Sequence, residues 1–374
     1  MPVKHSYFSS RVKVNVDEFY DREKELDTIE NALNTTPLII IYGQRRMGKT
    51  SLLNVALNES DAPFIIIDAR ELYKKKSLIY ETDILNLLLN EFRRKASRTK
   101  KFKLLLSGIA SRIKGISFHG LEINLDPKNP PKLSDLLYEI NSYAEKKEER
   151  FVIAIDEAQY LRFSNTRFDV LFASFVDRFK NITIILTGSE VGVLERFLDL
   201  DNPEKPLFGR IAVQLFLEGF DREKSSDFLI KGFEQFDTVP TESELENTVD
   251  TLGGNPGWLT MYGFYRCVLK HNPNYAKSKV INDASRLMMS EVEHVIERSR
   301  ERYLAILFSI SQGIDHWIDI KNYLVVSTGK NIDDKTFTKL LNKLLDYGFI
   351  FKKENVYGLT DPLMRHAILA LREH

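Results

Sequence analysis

Residues 43–50 of the 374-residue chain read GQRRMGKT, which has the spacing G-x-x-x-x-G-K-[ST]. Glycines at this spacing let the backbone wrap around an anion, so that its N–H groups face phosphate oxygens. Lys49 would neutralise β- and γ-phosphate oxygens, and the Thr50 hydroxyl is a suitable Mg²⁺ ligand. The spacing therefore predicts a site for ATP or ADP with Mg²⁺. The residues assigned to it are Gly43, Gln44, Arg45, Arg46, Met47, Gly48, Lys49, Thr50 and Ser51.

Two adjacent carboxylates, Asp156 and Glu157, follow the apolar run 151–155. Downstream of a phosphate-binding loop, this strand end predicts that Asp156 holds Mg²⁺ through its water shell. Glu157 would then polarise the water that attacks the γ-phosphate and act as the general base. The alternative is an Asp-Glu pair that only caps a following helix.

The elements that must position these residues are apolar strands separated by helical segments. Four strand-length runs occur, at 38–41, 64–67, 151–155 and 182–186, and the loop at 43–50 follows the first run directly and opens a helix. Near-continuous apolar strands are typical of a parallel sheet with helices on both faces. The predicted fold class is α/β: a P-loop NTPase parallel sheet, followed by a helical lid domain and a C-terminal winged-helix domain.

The chain is long enough for two or three domains. After Leu217 the strand runs stop and helical periodicity takes over, interrupted by GGNPG at 253–257. Further on, three helical segments precede two short apolar runs joined by a turn at Glu354-Asn355, a pattern that predicts a winged helix. The predicted domains are residues 1–216, 217–297 and 298–374.

The composition is that of a globular protein, with 43% hydrophobic and 28% charged residues. The 53 Lys and Arg residues equal the 53 Asp and Glu residues, so net charge neither indicates nor excludes a nucleic-acid partner. The single cysteine, Cys267, cannot form an internal disulfide, and the sequence has no secretory leader and no apolar run of membrane-spanning length. These features predict a cytoplasmic protein.

Five further motifs occur in order along the chain: FYDREKEL at 19–26, DEAQ at 156–159, LTGS at 186–189, FGR at 208–210 and GNP at 254–256. With the phosphate-binding loop, they resemble the archaeal ATPase family, which belongs to the signal-transduction ATPases with numerous domains within the wider AAA+ group. The resemblance covers nearly the whole chain. It implies a slow ATP hydrolase with the nucleotide between the α/β domain and the lid.

The resemblance also implies contacts to the nucleoside. The segment from Phe19 to Glu23 resembles the strand and turn that cradle adenine, which makes Phe19, Tyr20 and Arg22 candidates for base or ribose contacts; Arg22 is alternatively only a charge at a helix start. Pro256 matches the lid proline that packs on the adenine ring, and is alternatively a simple helix breaker.

Two residues are assigned to the γ-phosphate by the same resemblance. Thr187, at the end of the run 182–186, occupies the position of a polar sensor, or is only a satisfied hydroxyl at a strand end. Arg210, before a predicted strand at 211–216, is placed like the family's arginine near the γ-phosphate, where a planar fork stabilises the charge of phosphoryl transfer. It is otherwise a surface arginine.

Two questions about the arginines stay open in the sequence. Arg210 would act either in its own subunit or across the interface of a nucleotide-dependent oligomer. Arg45 and Arg46 depart from phosphate loops built of small residues; they either add phosphate contacts or point to solvent.

Two basic features are candidates for a DNA or protein partner. Lysines four residues apart share one face of the predicted third winged-helix helix, and two more lie on the hairpin, although nearby aspartates offset their charge. A clamp on the nucleotide domain, or a protein contact, is the preferred interpretation of this module. The segment Arg93 to Lys114 holds nine Lys or Arg residues and no acid, and is the stronger candidate for an anionic partner, or else a solvated face. The winged-helix lysines are Lys335, Lys339, Lys343, Lys352 and Lys353.

The leading functional hypothesis is a nucleotide-driven switch in which ATP with Mg²⁺ holds one domain arrangement and hydrolysis at Glu157 releases it. The competing hypothesis is a DNA-binding regulator whose nucleotide is mainly structural. A kinase using the same loop is a weaker third hypothesis, because the sequence shows no dedicated acceptor pocket.

Overall fold

The computed structural model describes residues 6–75, 78–110, 112–113, 115–119, 122–126, 128 and 131–370. Lys114, the last residue of the basic segment, lies outside the described residues. Within the described ranges, no helix combines the length and apolar character that crossing a membrane requires.

A five-stranded parallel sheet forms the N-terminal part, with strand order β2-β5-β6-β1-β7. A separate antiparallel hairpin, β3-β4, is inserted between helices on one side. The elements are α1 (Glu23–Thr35), β1 (Leu38–Gly43), α2 (Lys49–Glu59), β2 (Phe64–Asp68), α3 (Arg70–Lys75), α4 (Glu81–Ala96), α5 (Lys100–Ala110), β3 (Ile116–His119), β4 (Glu122–Leu125), α6 (Leu133–Lys146), β5 (Phe151–Asp156), α7 (Phe168–Arg178), β6 (Ile182–Gly188), α8 (Val191–Leu198) and β7 (Val213–Leu217).

Helices cover both faces of this sheet, as the apolar runs predict. Alternate residues of β1 and β5 pack into two different apolar clusters, one on each face. The cluster containing Ile39 and Ile41 packs against α1 and α2, and the cluster containing Leu38 and Ile40 packs against the helices from α3 to α8. Because both faces are buried, the strands carry apolar residues at consecutive positions rather than at every second one.

The C-terminal part is helical and ends in a hairpin. Its elements are α9 (Arg222–Glu234), α10 (Glu242–Leu252), α11 (Pro256–Gly263), α12 (Pro273–Ile296), α13 (Arg300–Ser311), α14 (Trp317–Thr328), α15 (Asp334–Asp346), β8 (Ile350–Lys353), β9 (Val356–Leu359) and α16 (Met364–Ala370). The helices α13 to α15 and the hairpin β8-β9 form the predicted winged helix, which is confirmed.

One continuous apolar core joins the lid and the winged helix. It runs from Phe220 and Trp258 in the lid to Phe337 and Ile368 in the winged helix. Phe8, from the N-terminal segment, lies in the same core against Gly232 and Gly263, where no larger residue would fit beside its ring. The predicted boundary between residues 297 and 298 therefore crosses a shared core and stays a prediction.

The strand predicted at 211–216 begins later than expected. Residues 207–210 form a turn closed by the hydrogen bond from the Arg210 N–H to the Leu207 carbonyl, and Gly209 adopts a φ of +73° within it. Ile211 is consequently outside β7 and 77% exposed.

Candidate functional site

The phosphate-binding loop lies between β1 and α2. Gly48 has a φ of +92°, a conformation that favours glycine, and it leads directly into α2. Lys49 is buried, and its ammonium donates hydrogen bonds to the carbonyls of Gly43 (2.6 Å) and Gln44 (2.7 Å). Burial lowers the pKa of Lys49 to about 8, although Glu157 and Asp156 oppose that effect. The loop thus binds its own lysine through two backbone carbonyls.

Asp156 lies at the end of β5 between two threonine hydroxyls. Thr50 Oγ1 donates to Asp156 Oδ2 at 2.8 Å, and Thr187 Oγ1 donates to Asp156 Oδ1. Burial raises the pKa of Asp156, while the hydrogen bonds from Thr187 and Thr50 oppose the rise. The structure therefore brings together Thr50, Asp156 and Thr187. Asp156 is 106 positions from Thr50 and 31 positions from Thr187 in the sequence.

Glu157 is the next residue and has a left-handed backbone, with φ of 55°. Its Oε2 atom accepts three hydrogen bonds: from Gln159 Nε2 (2.6 Å), Ser189 Oγ (2.6 Å) and the Ser189 N–H (3.3 Å). Burial acts to raise the pKa of Glu157, but Lys49, the bonds from Ser189 and Gln159, and Arg70 together outweigh it and lower the pKa. The carboxylate is thus kept charged, and its three donors fix its orientation.

Three residues around Glu157 were not assigned a role from the sequence. Gln159 and Ser189 belong to the quoted motifs DEAQ and LTGS, so a signal for them was present. Arg70 begins α3, two residues after β2, and its Nη1 lies 3.8 Å from Glu157 Oε1. Its signal is the sequence Asp68-Ala69-Arg70 directly after an apolar strand.

The lid contacts the phosphate-binding loop directly at the N-terminus of α11. The Gly257 N–H donates to the Arg46 carbonyl at 3.1 Å, and Asn255 caps α11 through its side chain. A side chain at position 257 would collide with Arg46, since an added Cβ would lie 2.5 Å from the Arg46 Cβ. Pro256, the predicted adenine contact, is the first residue of α11 and lies beside this junction.

Arg45 and Arg46 point toward the lid rather than simply to solvent. Arg45 Nη1 lies 2.7 Å and Arg46 Nη1 lies 3.6 Å from the same oxygen, Oε1 of Glu291 on α12. Arg45 Nη2 also lies 3.8 Å from Glu190 Oε1, and the Arg46 guanidinium lies 4.4 Å from the centre of the Trp258 ring. The two arginines therefore join the loop to the lid in this structure.

Three candidate adenine contacts precede α1. Phe19 lies against the phosphate-binding loop, where a Cβ added to Gly48 would be 3.9 Å from its Cε2 atom. The Tyr20 hydroxyl donates to Asp227 of α9 at 2.6 Å. Arg22 is buried and bonds to Glu25 and to the Glu218 carbonyl in the connection to the lid. Their proposed nucleoside contacts stay predictions.

Two other assigned residues have partners outside the strand-end cluster. Arg210 forms an ion pair with Asp177 of α7 (Nη2–Oδ2, 2.6 Å) and also donates to the Pro206 carbonyl. The Ser51 hydroxyl accepts a hydrogen bond from the Lys13 N–H at 3.2 Å, which attaches the N-terminal segment to α2. Within one chain, the structure therefore does not bring Arg210 to Glu157, and its γ-phosphate role stays a prediction.

The winged helix packs on both other parts of the protein. Asp346, at the end of α15, pairs with Arg196 of α8, and the Tyr347 hydroxyl accepts from Arg162 at 3.2 Å. Asp361, after β9, accepts from the Trp258 indole N–H at 2.7 Å. A cavity of about 320 Å³ lies where the three parts meet. Its lining includes Gln44, Arg45, Arg46, Tyr160, Glu190, Glu291, His294, Tyr347 and Asp361.

The predicted basic surfaces are partly neutralised. Lys343 donates to the Val295 carbonyl of the lid at 2.6 Å, so it leaves the face that it was predicted to share with exposed Lys335 and Lys339. In the basic segment, several cations pair with acids from nearby helices or stack on rings, which leaves less unpaired charge than the sequence indicates. Examples are Arg94 with Glu91, Lys101 with Glu149, Arg112 with Glu139, and Lys95 over the Phe64 ring.

Comparisons with known proteins agree with this architecture. A family model described as an ATPase domain predominantly from Archaea matches residues 19–262, and a model of the MCM protein C-terminal winged helix-turn-helix domain matches residues 297–359. Among curated proteins no match is found.

Two solved structures are similar over almost the whole chain. The Walker-type ATPase PABY2304 of Pyrococcus abyssi is 35% identical, with a TM-score of 0.83 over 97% of this chain and 99% of that one. The ORC2 protein of Aeropyrum pernix shares the fold, with 14% identity and a TM-score of 0.60 over 99% of each chain. The family model and the 35% identical relative show that this chain belongs to the archaeal ATPase family of P-loop, AAA+-like proteins.

Proposed function

We propose that this protein is a nucleotide-driven switch that binds ATP with Mg²⁺ and hydrolyses it slowly. The observation that carries the proposal is that the loop expected to bind phosphate also contacts the lid, through Arg46 and the Gly257 N–H. The same lid helix is bound to the winged helix by the bond from Trp258 to Asp361. Phosphates bound in the loop would therefore lie next to the contacts that connect the loop to the lid and, through the lid, to the winged helix.

Nucleotide binding is supported by both the local geometry and the relatives. The solved ORC2 structure is described as holding ADPNP and ADP. In this chain, Lys49 would exchange its bonds to the Gly43 and Gln44 carbonyls for bonds to phosphate oxygens. Lys49 could make this exchange without a change in its backbone position, because it is the first residue of α2 and the loop surrounds it.

The oxygen atoms of Thr50 and Asp156 fit a magnesium site. A hydroxyl and a carboxylate lie 2.8 Å apart at the N-terminus of α2, and Mg²⁺ is commonly held by one or two such groups, together with waters and substrate phosphates. The described residues contain no cluster of three or more His, Cys, Asp or Glu that could hold a metal ion. When bound, Mg²⁺ would neutralise charge on the β- and γ-phosphates.

The hydrolytic step would use Glu157. A water oxygen attacks the γ-phosphorus, the bond from that phosphorus to the β–γ bridging oxygen breaks, and ADP and phosphate are formed. Glu157 Oε1 would accept the proton of the water, because Oε2 is occupied by Gln159 and Ser189. Thr187 would act through its bond to Asp156.

The switch requires that nucleotide favour one domain arrangement over another. Glu291 binds both loop arginines in the structure described here. A triphosphate is a competing anion for the same two guanidinium groups, so its binding would weaken the hold of α12 on the loop. Hydrolysis and phosphate release would restore it.

A second candidate function is that of a DNA-binding regulator. It is favoured by the exposure of Lys335 and Lys339 on α15 and of Lys352 and Lys353 on the wing. It is disfavoured by the C-terminal end of the same helix, where Asp346 packs against α8.

ATP turnover and nucleotide affinity with Mg²⁺ separate the two functions. We expect Lys49→Ala to lose nucleotide affinity by 100-fold or more, and Glu157→Gln to keep ATP affinity while losing turnover. Lys279→Ala, which removes a half-buried lysine paired with Asp283 on α12, is the matched control and should resemble the wild type. Tight ATP binding by the wild type without turnover would reject the hydrolytic switch.

Duplex DNA binding at increasing salt tests the regulator directly. A regulator with several phosphate contacts must weaken steeply as salt rises. The double variant Lys335→Ala, Lys339→Ala should then reduce affinity more than Lys343→Ala, whose lysine binds the lid. This function is rejected if the affinity for duplex DNA changes neither with salt concentration nor in either variant.

A further inference from the structure

We propose that Arg70 is a further catalytic residue, and that its guanidinium contacts the γ-phosphate oxygens while ATP is hydrolysed. The proposal rests on the function proposed above, and it assigns within one chain the cationic role that the resemblance gave to Arg210. Three observations lead to it: the place of Arg70 in the sheet, the anchoring of its fork, and the oxygen of Glu157 that it faces.

The sheet fixes Arg70 beside the catalytic strand end. Strands β2 and β5 are parallel neighbours, with Asp68 paired to Asp156. The chain then continues with a hydrogen bond from the Ala69 N–H to the Asp156 carbonyl at 2.9 Å, and Arg70 follows as the first residue of α3. Backbone pairing, rather than a mobile loop, therefore brings Arg70 to Glu157.

Asp68 holds two of the three nitrogens of the Arg70 fork. Arg70 Nε lies 3.0 Å from both carboxylate oxygens of Asp68, and Nη2 lies 2.7 Å from Oδ2. The third nitrogen, Nη1, takes no part in these bonds and is the one that lies 3.8 Å from Glu157 Oε1. At that separation it does not form a hydrogen bond with the carboxylate, so Oε1 keeps its capacity to accept a proton.

Arg70 faces Oε1 of Glu157, the oxygen that would accept the proton from water. Oε2 of Glu157 accepts bonds from Ser189 and Gln159, which leaves Oε1 to accept a proton from the reacting water. A cation beside Oε1 would then lie close to the γ-phosphate that this water attacks. Arg70 would give and take no proton; its planar charged fork would stabilise the negative charge that spreads over the phosphoryl oxygens.

Arg210 contrasts with Arg70 in this respect. Its Nε and Nη2 bind Asp177, and its Nη1 donates to the Pro206 carbonyl, so each nitrogen of its fork has a partner away from Glu157. In Arg70, by contrast, Nη1 is not bound by Asp68 and already faces Glu157. Arg210 would have to leave its ion pair.

The test compares Arg70→Gln with a matched ion pair elsewhere in the same domain. Arg167 binds Asp169 two residues away in the sequence, as Arg70 binds Asp68, but it lies on the surface before α7. We expect Arg70→Gln to lower kcat about 100-fold, with ADP affinity within about twofold of the wild type. Arg167→Gln should leave kcat unchanged, and Arg70→Lys should recover part of the loss because it restores charge without the fork.

Asp68→Asn distinguishes a catalytic arginine from a structural ion pair. It breaks the same pair but leaves the Arg70 charge in place, so we expect a much smaller loss of kcat than from Arg70→Gln. Equal losses from both variants, or none from Arg70→Gln, would overturn the proposal.

Binding measurements keep the proposal separate from hydrolysis itself. The ratio of the affinity for a non-hydrolysable ATP analogue to that for ADP should fall in Arg70→Gln and stay constant in Arg167→Gln. If the wild type shows no turnover but this ratio falls, Arg70 contacts the γ-phosphate and the hydrolytic function fails. If the wild type turns over and the ratio and kcat are unchanged, the function stands and the Arg70 proposal fails.

Discussion

The two sides of the proposed nucleotide site are built in different ways. The strand-end side, formed by Asp156, Glu157, Thr187 and Ser189, consists of short hydrogen bonds between residues at the ends of neighbouring parallel strands. The lid side joins the loop arginines to Glu291 and Trp258, through charged and ring contacts between elements that are far apart in the sequence. The first side is preorganised for chemistry, whereas the second is held by contacts for which phosphate would compete. Under the proposed function, catalysis and switching would therefore depend on different residues of one site.

The largest expected effect comes from withholding Mg²⁺ from the proposed site on the strand-end side. A chelator should abolish ATP turnover, and Asp156→Asn should lower kcat at least 1,000-fold even at high Mg²⁺, because charge on the transferring phosphoryl group would be left without its counter-ion. ADP affinity measured without Mg²⁺ should change little. Turnover that survives both treatments would show that the bond between Thr50 and Asp156 is only structural.

Ser189→Ala should produce a smaller loss on the same side. It removes the 2.6 Å hydrogen bond that orients Glu157 but leaves the carboxylate, Gln159 and the Ser189 N–H in place. We expect kcat to fall about 10-fold with little change in KM, measured by steady-state hydrolysis. Ser189→Thr keeps a hydroxyl and is the control; an equal loss in both would point to packing rather than to orientation.

On the lid side, Glu291→Gln should act in the opposite direction. Without its carboxylate, Arg45 and Arg46 lose a competing anion, so ATP affinity should rise about fivefold, the range of a typical coupling between sites. The matched control is Glu293→Gln on the same helix, which breaks only an exposed pair with Arg300. Lower affinity in Glu291→Gln would mean that the lid contact supports binding instead of opposing it.

The same division explains what the sequence could predict. Lys49, Thr50, Asp156 and Thr187 follow apolar strands, and parallel strands bring their carboxyl ends to one edge of the sheet, so strand patterns alone suffice to predict that they meet. The winged helix was predictable for a similar reason, since its three helices and hairpin are local patterns.

The lid contacts could not be predicted in this way. Arg45 and Glu291 are almost 250 positions apart, and a long charged side chain has many partners of similar energy. For the same reason, the helical spacing groups Lys343 with Lys335 and Lys339, although Lys343 binds the lid. The sequence likewise gives no sign that Asp177 pairs with Arg210 within the chain. Arg70 has only a weak sequence signal, its place directly after the apolar strand β2. The pairing of β2 with β5 is what shows that it lies beside Glu157.

The smallest expected effect concerns the contact between the lid and the winged helix. Burial raises the pKa of Asp361, against the opposing hydrogen bonds from Trp258, Leu363 and Asn255 and the charge of Arg46. The folded protein therefore holds this proton more tightly than the unfolded chain, and unfolding releases it. Stability from this group is present below its ordinary pKa of about 4 and is lost as pH rises through the raised value.

Asp361→Asn should remove that dependence. Urea unfolding between pH 4 and pH 7 should show the stability of the wild type, relative to the variant, falling as pH rises. Asp283 is the opposite control, because Lys279 and Tyr265 outweigh the effect of its burial and lower its pKa. Its contribution is present above the ordinary pKa of about 4 and is lost as pH falls below it, so measurements extended below pH 4 should show the wild type gaining stability over Asp283→Asn as pH rises. The two variants could instead show the same change in the free energy of unfolding with pH. In that case, Asp361 would not be a carboxyl with a raised pKa, and the contact between the lid and the winged helix would not depend on its protonation.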